Sequence, residues 1–181
     1  MKIQTRLSGS GGQGLILGGI LLAEAAILDG KKALQSQSYG PESRGGSSRS
    51  DVIISDKPIY FPRATELDNL LCLTQESADK FLEFLKPDGI FFYDSSQIKI
   101  NPIDAKSIGI PFTEKAIEKF KTPLVANIVA LSFIGKITNI VSLISFKKAL
   151  KMRIKPKYLE MNLNAVKFGI QLAEKFLKSN E

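Results

Sequence analysis

The segment LSGSGGQG, residues 7–14, follows the first apolar run of the chain and precedes its first helix-like stretch. That order predicts a strand, a tight turn and a helix. Residues 2–7 (KIQTRL) alternate apolar with polar side chains, and residues 14–29 (GLILGGILLAEAAILD) are apolar almost all round. Within the segment, Gly9, Gly11 and Gly14 take the spacing G-x-G-x-x-G. Glycines let a backbone turn sharply and approach a phosphate, while the free amides and positive dipole end of the following helix attract an anion. The same glycines would also serve packing alone, by letting the helix settle close on a sheet. Both readings stand.

Working outward, the helix over 14–29 is of the kind buried against a sheet, with Gly18 and Gly19 permitting close approach of a neighbouring backbone and Gly30 as its C′ residue. Residues 33–38 are a weak second strand, parallel to the first and reached by a right-handed crossover. Residues 47–55 (SSRSDVIIS) predict a third strand, and Ile59 to Phe61 pair briefly with it after a turn at Asp56, Lys57 and Pro58. The continuous apolar run NLLCLT (69–74) is what a central parallel strand buried on both faces requires. An amphipathic helix over 75–85 follows, with Ala78, Phe81, Leu82 and Leu85 on one face, closed by KPDG at 86–89. Strands are expected at 89–93 and 106–110, then a short helix capped by Thr113 and ending at Phe120. Helices alone follow, over 123–137, 142–152 and 158–177, the first with Pro123 near its start. The fold class is therefore α/β: one Rossmann-like domain over 1–181, with a mostly parallel sheet, helices on both faces and a helical C-terminal extension.

Composition narrows the chemistry. At 181 residues, one domain of this length buries about 70% of its unfolded surface and needs no staples. No apolar run reaches the roughly 20 residues of a membrane span, and Arg6 interrupts what would be a signal-peptide core, so a cytoplasmic location is expected. The single cysteine, Cys72, lies in an apolar strand-like run and suits a buried, inert thiol. With no histidine, the chain has no Ser-His or Cys-His nucleophile pair, no usual zinc site and no imidazole base. Ser8 and Ser10 are accordingly expected to form the turn. The formal charge of +7 is spread out except over 147–157 (KKALKMRIKPK), which holds six basic and no acidic residues. A solvated helix end explains it, and an acidic docking partner is the alternative; no interleaved aromatic residues favour nucleic acid.

A dinucleotide site would need a carboxylate about 20 positions on, at the end of the second strand. That strand ends in Gln37, Ser38 and Tyr39, which disfavours NAD; Arg44 would suit an NADP phosphate, so a stand-alone NADP-binding reductase remains an alternative. No Gly-Lys-Ser/Thr follows the glycines, so the P-loop is absent. A second small-residue segment, SQSYGPESRGGSSRS over 36–50, is expected to meet the glycine loop in space.

GSGGQG followed by SYGPESRGG resembles the gamma subunit of the 2-oxoacid:ferredoxin (acceptor) oxidoreductases. The similarity continues through Pro111, NIVAL (127–131) and NLNAVKFG (162–169), and so spans nearly the whole chain. It departs at Leu131 and Ser132, where the family commonly has Leu-Gly. The resemblance implies an enzyme complex that oxidatively decarboxylates a 2-oxoacid to an acyl-coenzyme A, with 2-oxoglutarate favoured over pyruvate and branched-chain oxoacids. It implies thiamine diphosphate, magnesium and iron-sulfur clusters on partner alpha, beta and delta subunits, since one cysteine cannot hold a cluster. Electrons would pass to ferredoxin or another acceptor. This free-standing subunit would be inactive alone, with self-association left open, and would bind coenzyme A through Gly9, Gly11, Gly12, Gln13 and Gly14. Arg44, Gly45 and Gly46 would lie nearby, Arg44 meeting phosphate or a partner carboxylate. Asn127 is expected to bond a facing loop or to touch ligand, and Tyr39 to stack on adenine, line a subunit seam or sit in the core. A non-catalytic assembly scaffold is the remaining alternative.

Overall fold

The computed structural model describes residues 1–39, 47–100 and 105–180, excluding the side chains of Tyr39 and Ser47. Among them, the chain order is β1 (Lys2–Ser10), α1 (Leu15–Leu28), β2 (Lys32–Tyr39), β3 (Ser47–Ser55), β4 (Leu67–Cys72), α2 (Gln75–Phe81), β5 (Leu85–Asp94), β6 (Lys106–Ile110), α3 (Phe112–Phe120), α4 (Ala126–Thr138), α5 (Leu143–Arg153) and α6 (Pro156–Lys178). The strands form one sheet in the order β2-β3-β1-β4-β5-β6. Here β1, β4, β5 and β6 run parallel, whereas β3 is antiparallel to both its neighbours. The expected common direction of β1 and β2 holds, but β3 is inserted between them.

The continuous apolar strands are buried on both faces, as their composition requires. Alternate residues go to two cores. Leu7, Val52, Ile54, Leu71 and Phe92 pack beneath α1 and the C-terminal helices, while Ile53, Leu70, Cys72 and Phe91 pack beneath α2. The C-terminal helices close back over the first face: all of α4 from Ala126 through Gly135 is buried. Gly18 and Gly19 do admit close neighbours, but these are the side chains of Leu131 and Ser50 rather than backbone.

Several local expectations are corrected. β1 continues three residues past Leu7, because β3 keeps pairing with it through Gly9 opposite Ser48 and Ser10 opposite Ser47. Consequently Ser8 is a fully buried strand residue whose hydroxyl donates to the Leu71 carbonyl at 3.0 Å, not a turn former. Residues 59–61 form no strand, and Tyr60 is 91% exposed. The helix from Gln75 ends at Phe81 in a 3₁₀ turn, Leu82–Phe84, because Leu85 leaves to pair with Leu67; residues 86–89 thus lie within β5 instead of closing a helix. Pro111, not Thr113, is the N-cap of α3, and α4 starts at Ala126 after a turn in which the Ala126 N–H reaches the Pro123 carbonyl at 3.0 Å.

Candidate functional site

β1 feeds α1 on one face of the sheet, and the neighbouring β4 feeds α2 on the other, so the crossovers diverge at the β1–β4 junction. In open α/β sheets the crevice outside the strand ends at such a junction is where ligands bind. The glycine turn sits there, shortened by the extension of β1 to the four residues Gly11, Gly12, Gln13 and Gly14.

Gly9 lies beneath the turn, within β1. A Cβ at Gly9 would fall 2.2 Å from Gln13 Oε1 and 3.2 Å from Leu73 Cβ. Its missing side chain makes room for Gln13, whose Oε1 accepts the Ser10 N–H at 2.8 Å and so ties the turn shut. The Gln13 side chain is committed to the turn, and what the turn presents outward is backbone.

Gly14 is the N-cap of α1 in the left-handed region (φ 70, ψ 22). Its carbonyl accepts the first helical bond, from Gly18 N at 2.9 Å, and a second from Asn127 Nδ2 at 2.9 Å. Asn127 Oδ1 in turn accepts the Ile128 N–H at 2.8 Å. Asn127 therefore joins the starts of α1 and α4 across 113 residues, which settles its expected bond to a facing loop. The N–H groups of Leu15, Ile16 and Leu17 precede the first helical bond, with no side-chain cap and no acidic residue in the first turn. They leave an uncompensated positive end of roughly half a charge.

Gly12 and Gln13 line a pocket of about 180 Å³ with Leu73, Thr113, Pro123, Leu124 and Ala126. The last five, not anticipated as site residues, come from the residue after β4, the first turn of α3 and the approach to and first residue of α4; only the sheet order brings them together. Asp94 supports this wall. Fully buried at the end of β5, it accepts the Thr113 N–H at 2.8 Å and the Ser96 N–H at 3.0 Å, pinning the start of α3. Nothing local in sequence links Asp94 with Thr113.

Arg44, Gly45 and Gly46 lie outside the described residues, as does the Tyr39 side chain. The flanks of their segment are placed, however: Tyr39 pairs with Ser48, which pairs with Gly9, and Ser47 pairs with Ser10. Both flanks are level with the glycine turn. Cys72 is fully buried with its Sγ 3.2 Å from Ser8 Oγ, and burial pushes its thiol up to about 11. It is no nucleophile at neutral pH. Among the described residues no group of three or more His, Cys, Asp or Glu side chains is arranged to hold a metal, and no helix is long and apolar enough to cross a membrane.

The remaining resemblance motifs meet in the core. NIVAL lies on α4 and NLNAVKFG on α6, and the two helices cross where a Cβ on Gly169 would sit 2.3 Å from the Val129 carbonyl oxygen. Ser132, standing where glycine was anticipated, is buried there with its hydroxyl donating to the Ile128 carbonyl at 2.7 Å.

Residues 4–172 match the family described as Pyruvate ferredoxin/flavodoxin oxidoreductase. The chain is 44% identical to the 2-oxoglutarate synthase subunit KorC of Methanocaldococcus jannaschii, covering 96% of this chain and 95% of that protein. It superposes on the gamma subunit of a keto/oxoacid ferredoxin oxidoreductase from Geobacter sulfurreducens with a TM-score of 0.85 at 42% identity, over 96% of this chain and 99% of the other. It also shares its fold with part of the 2-oxoglutarate:ferredoxin oxidoreductase of Magnetococcus marinus, solved with 2-oxoglutarate, coenzyme A and succinyl-CoA (TM-score 0.86, 24% identity, 96% of this chain and 31% of that one).

Proposed function

Because the chain belongs to the pyruvate ferredoxin/flavodoxin oxidoreductase family and is a gamma subunit of a 2-oxoacid:ferredoxin oxidoreductase, we propose that its complex oxidises 2-oxoglutarate and that this subunit holds the phosphate end of coenzyme A. The identity with KorC supports the choice of 2-oxoacid. The observation that carries the ligand is the uncapped start of α1 at the β1–β4 junction, where the turn Gly11–Gly12–Gln13–Gly14 offers backbone and no competing carboxylate.

The division of labour is the one that the likeness to the gamma subunits implies. Thiamine diphosphate, magnesium and iron-sulfur clusters reside on the alpha, beta and delta partners and supply decarboxylation and electron transfer to ferredoxin. This chain binds and orients. Its free amides receive the pyrophosphate, Asn127 and Gln13 keep the turn rigid, and Arg44, Gly45 and Gly46 are assigned to the same ligand from the sequence, Arg44 as a phosphate partner. A preformed turn positions the thiol end of the substrate without itself touching the reacting atoms. The complex acts in the cytoplasm.

The test uses the assembled complex carrying Gly11→Leu. Gly11 has no positive φ and open space around its Cβ position, so a side chain there obstructs the approach without straining the backbone. Expected are an intact complex by gel filtration, a KM for coenzyme A raised at least tenfold and an unchanged KM for the 2-oxoacid. An unchanged KM for coenzyme A overturns the loop assignment. Absence of coenzyme A binding by calorimetry, even in the unaltered complex, would leave this chain a scaffold, and hydride transfer from tightly bound NADPH by the isolated chain would make it a reductase.

A further inference from the structure

Alternation along β1 and β3 turns Arg6, Arg49 and Asp51 to the α2 face of the sheet, away from α1. There, Arg6, Arg49, Asp51, Arg63, Ser36 and Phe84 line a second pocket of about 170 Å³ that shares no residue with the one beside the glycine turn.

Its charge is unbalanced. Arg6, 2% exposed, binds Asp51 through two parallel bonds of 2.7 and 2.8 Å and donates a third to the Ala64 carbonyl at 3.1 Å. Both Asp51 oxygens are thereby used, and one buried cation is neutralised by one buried anion. The Arg6 guanidinium is also fixed 4.9 Å from the Phe81 ring centroid and 5.1 Å from that of Phe84, yet its Nη1 has no hydrogen-bond partner among the described residues. Arg49 lies 5.7 Å from the same Phe81 ring. Neither Arg49 nor Arg63 makes an ion pair among the described residues. Among the described residues, three guanidinium groups therefore face one carboxylate, an excess of two positive charges around a small, partly enclosed space.

We infer that this pocket seats a small doubly charged oxyanion, recognised by Arg49 and Arg63 above the immobilised Arg6–Asp51 pair. Guanidinium forks match the oxygen geometry of phosphate and carboxylate groups alike. The volume lies below the 300–1,000 Å³ or so typical of whole drug-sized ligands and suits a single anionic group. Ser36 at the rim adds a hydroxyl that now donates to the Pro62 carbonyl at 3.3 Å and is free to reorient.

The full chain, labelled with ¹⁵N at arginine, tests this by NMR titration with inorganic phosphate and, separately, succinate, chloride holding the ionic strength constant. The Nε–H signals of Arg49 and Arg63 are expected to shift saturably, and the Arg49→Gln/Arg63→Gln double variant to weaken binding at least tenfold. Saturation by phosphate alone identifies a phosphoryl ligand, and saturation by succinate alone a carboxylate. Because the double variant retains the Arg6–Asp51 pair, an unchanged melting temperature in anion-free buffer shows that its fold is kept. Non-saturating shifts with both anions, or equal affinity in the double variant, overturn the inference. The Gly11→Leu chain should respond like the unaltered one, so this result and the coenzyme A result stand or fall separately.

Discussion

Replacing Gly14 by alanine tests the junction on which the site depends. The left-handed conformation of Gly14 costs an alanine about 1–2 kcal/mol. The new Cβ would also lie 2.4 Å from Asn127 Nδ2, so the carboxamide must move and lose its bonds to the Gly14 carbonyl and the Ile128 N–H. Each is worth about 1 kcal/mol, giving about 3–4 kcal/mol for Gly14→Ala and about 2 kcal/mol for Asn127→Ala. Both substitutions forfeit the same two bonds, so the double variant should cost about 3–4 kcal/mol, short of the additive sum by about 2 kcal/mol. Urea unfolding of the full chain, followed by circular dichroism, measures all four corners of the cycle. Gly12→Ala is the control: Gly12 also has positive φ, but nothing lies within 4 Å of its Cβ position, so its cost should add to that of Asn127→Ala. Additivity of Gly14→Ala with Asn127→Ala would refute the account of Asn127 as the link between α1 and α4.

Two further outcomes are expected. Gly169→Ala places a Cβ against the Val129 carbonyl and within 3.2 Å of Phe133 N, so α4 and α6 must separate; a loss of about 1–3 kcal/mol should register in thermal unfolding, and a neutral result would contradict the close crossing. Cys72 should resist thiol reagents at pH 8 until the chain unfolds. Since burial raises its thiol from an ordinary 9.0 to about 11, the unfolded chain loses this proton first. Stability should therefore fall between pH 9 and 11 and be untouched by this group below 9, with Cys72→Ala removing that part of the slope.

The elements were largely legible because their signals are local. Alternation marked the first part of β1, continuous apolar runs marked β4 and the end of β5, and Ser142 marked the start of α5, where its hydroxyl accepts the Ser145 N–H at 3.1 Å. Errors arose where a partner overrode local preference. Residues 8–10 read as turn, yet pairing with β3 made them strand. Residues 86–89, with their Pro and Gly, read as a helix stop, yet β5 begins upstream of them.

The site divides in the same way. From its sequence alone the chain determined a glycine turn between a strand and a buried helix, the absence of histidine and of a cysteine set for a cluster, and its likeness to the gamma subunits, because composition and spacing are properties of the chain itself. Only the tertiary structure decided which way each group faces and what it meets. It turned Gln13 inward to brace the turn, brought Asn127 to the Gly14 carbonyl, and set Arg6, Arg49 and Arg63 around one cavity. The reason is physical: sheet order and the two-residue alternation of a strand fix these meetings, and both depend on pairing between segments far apart in the chain.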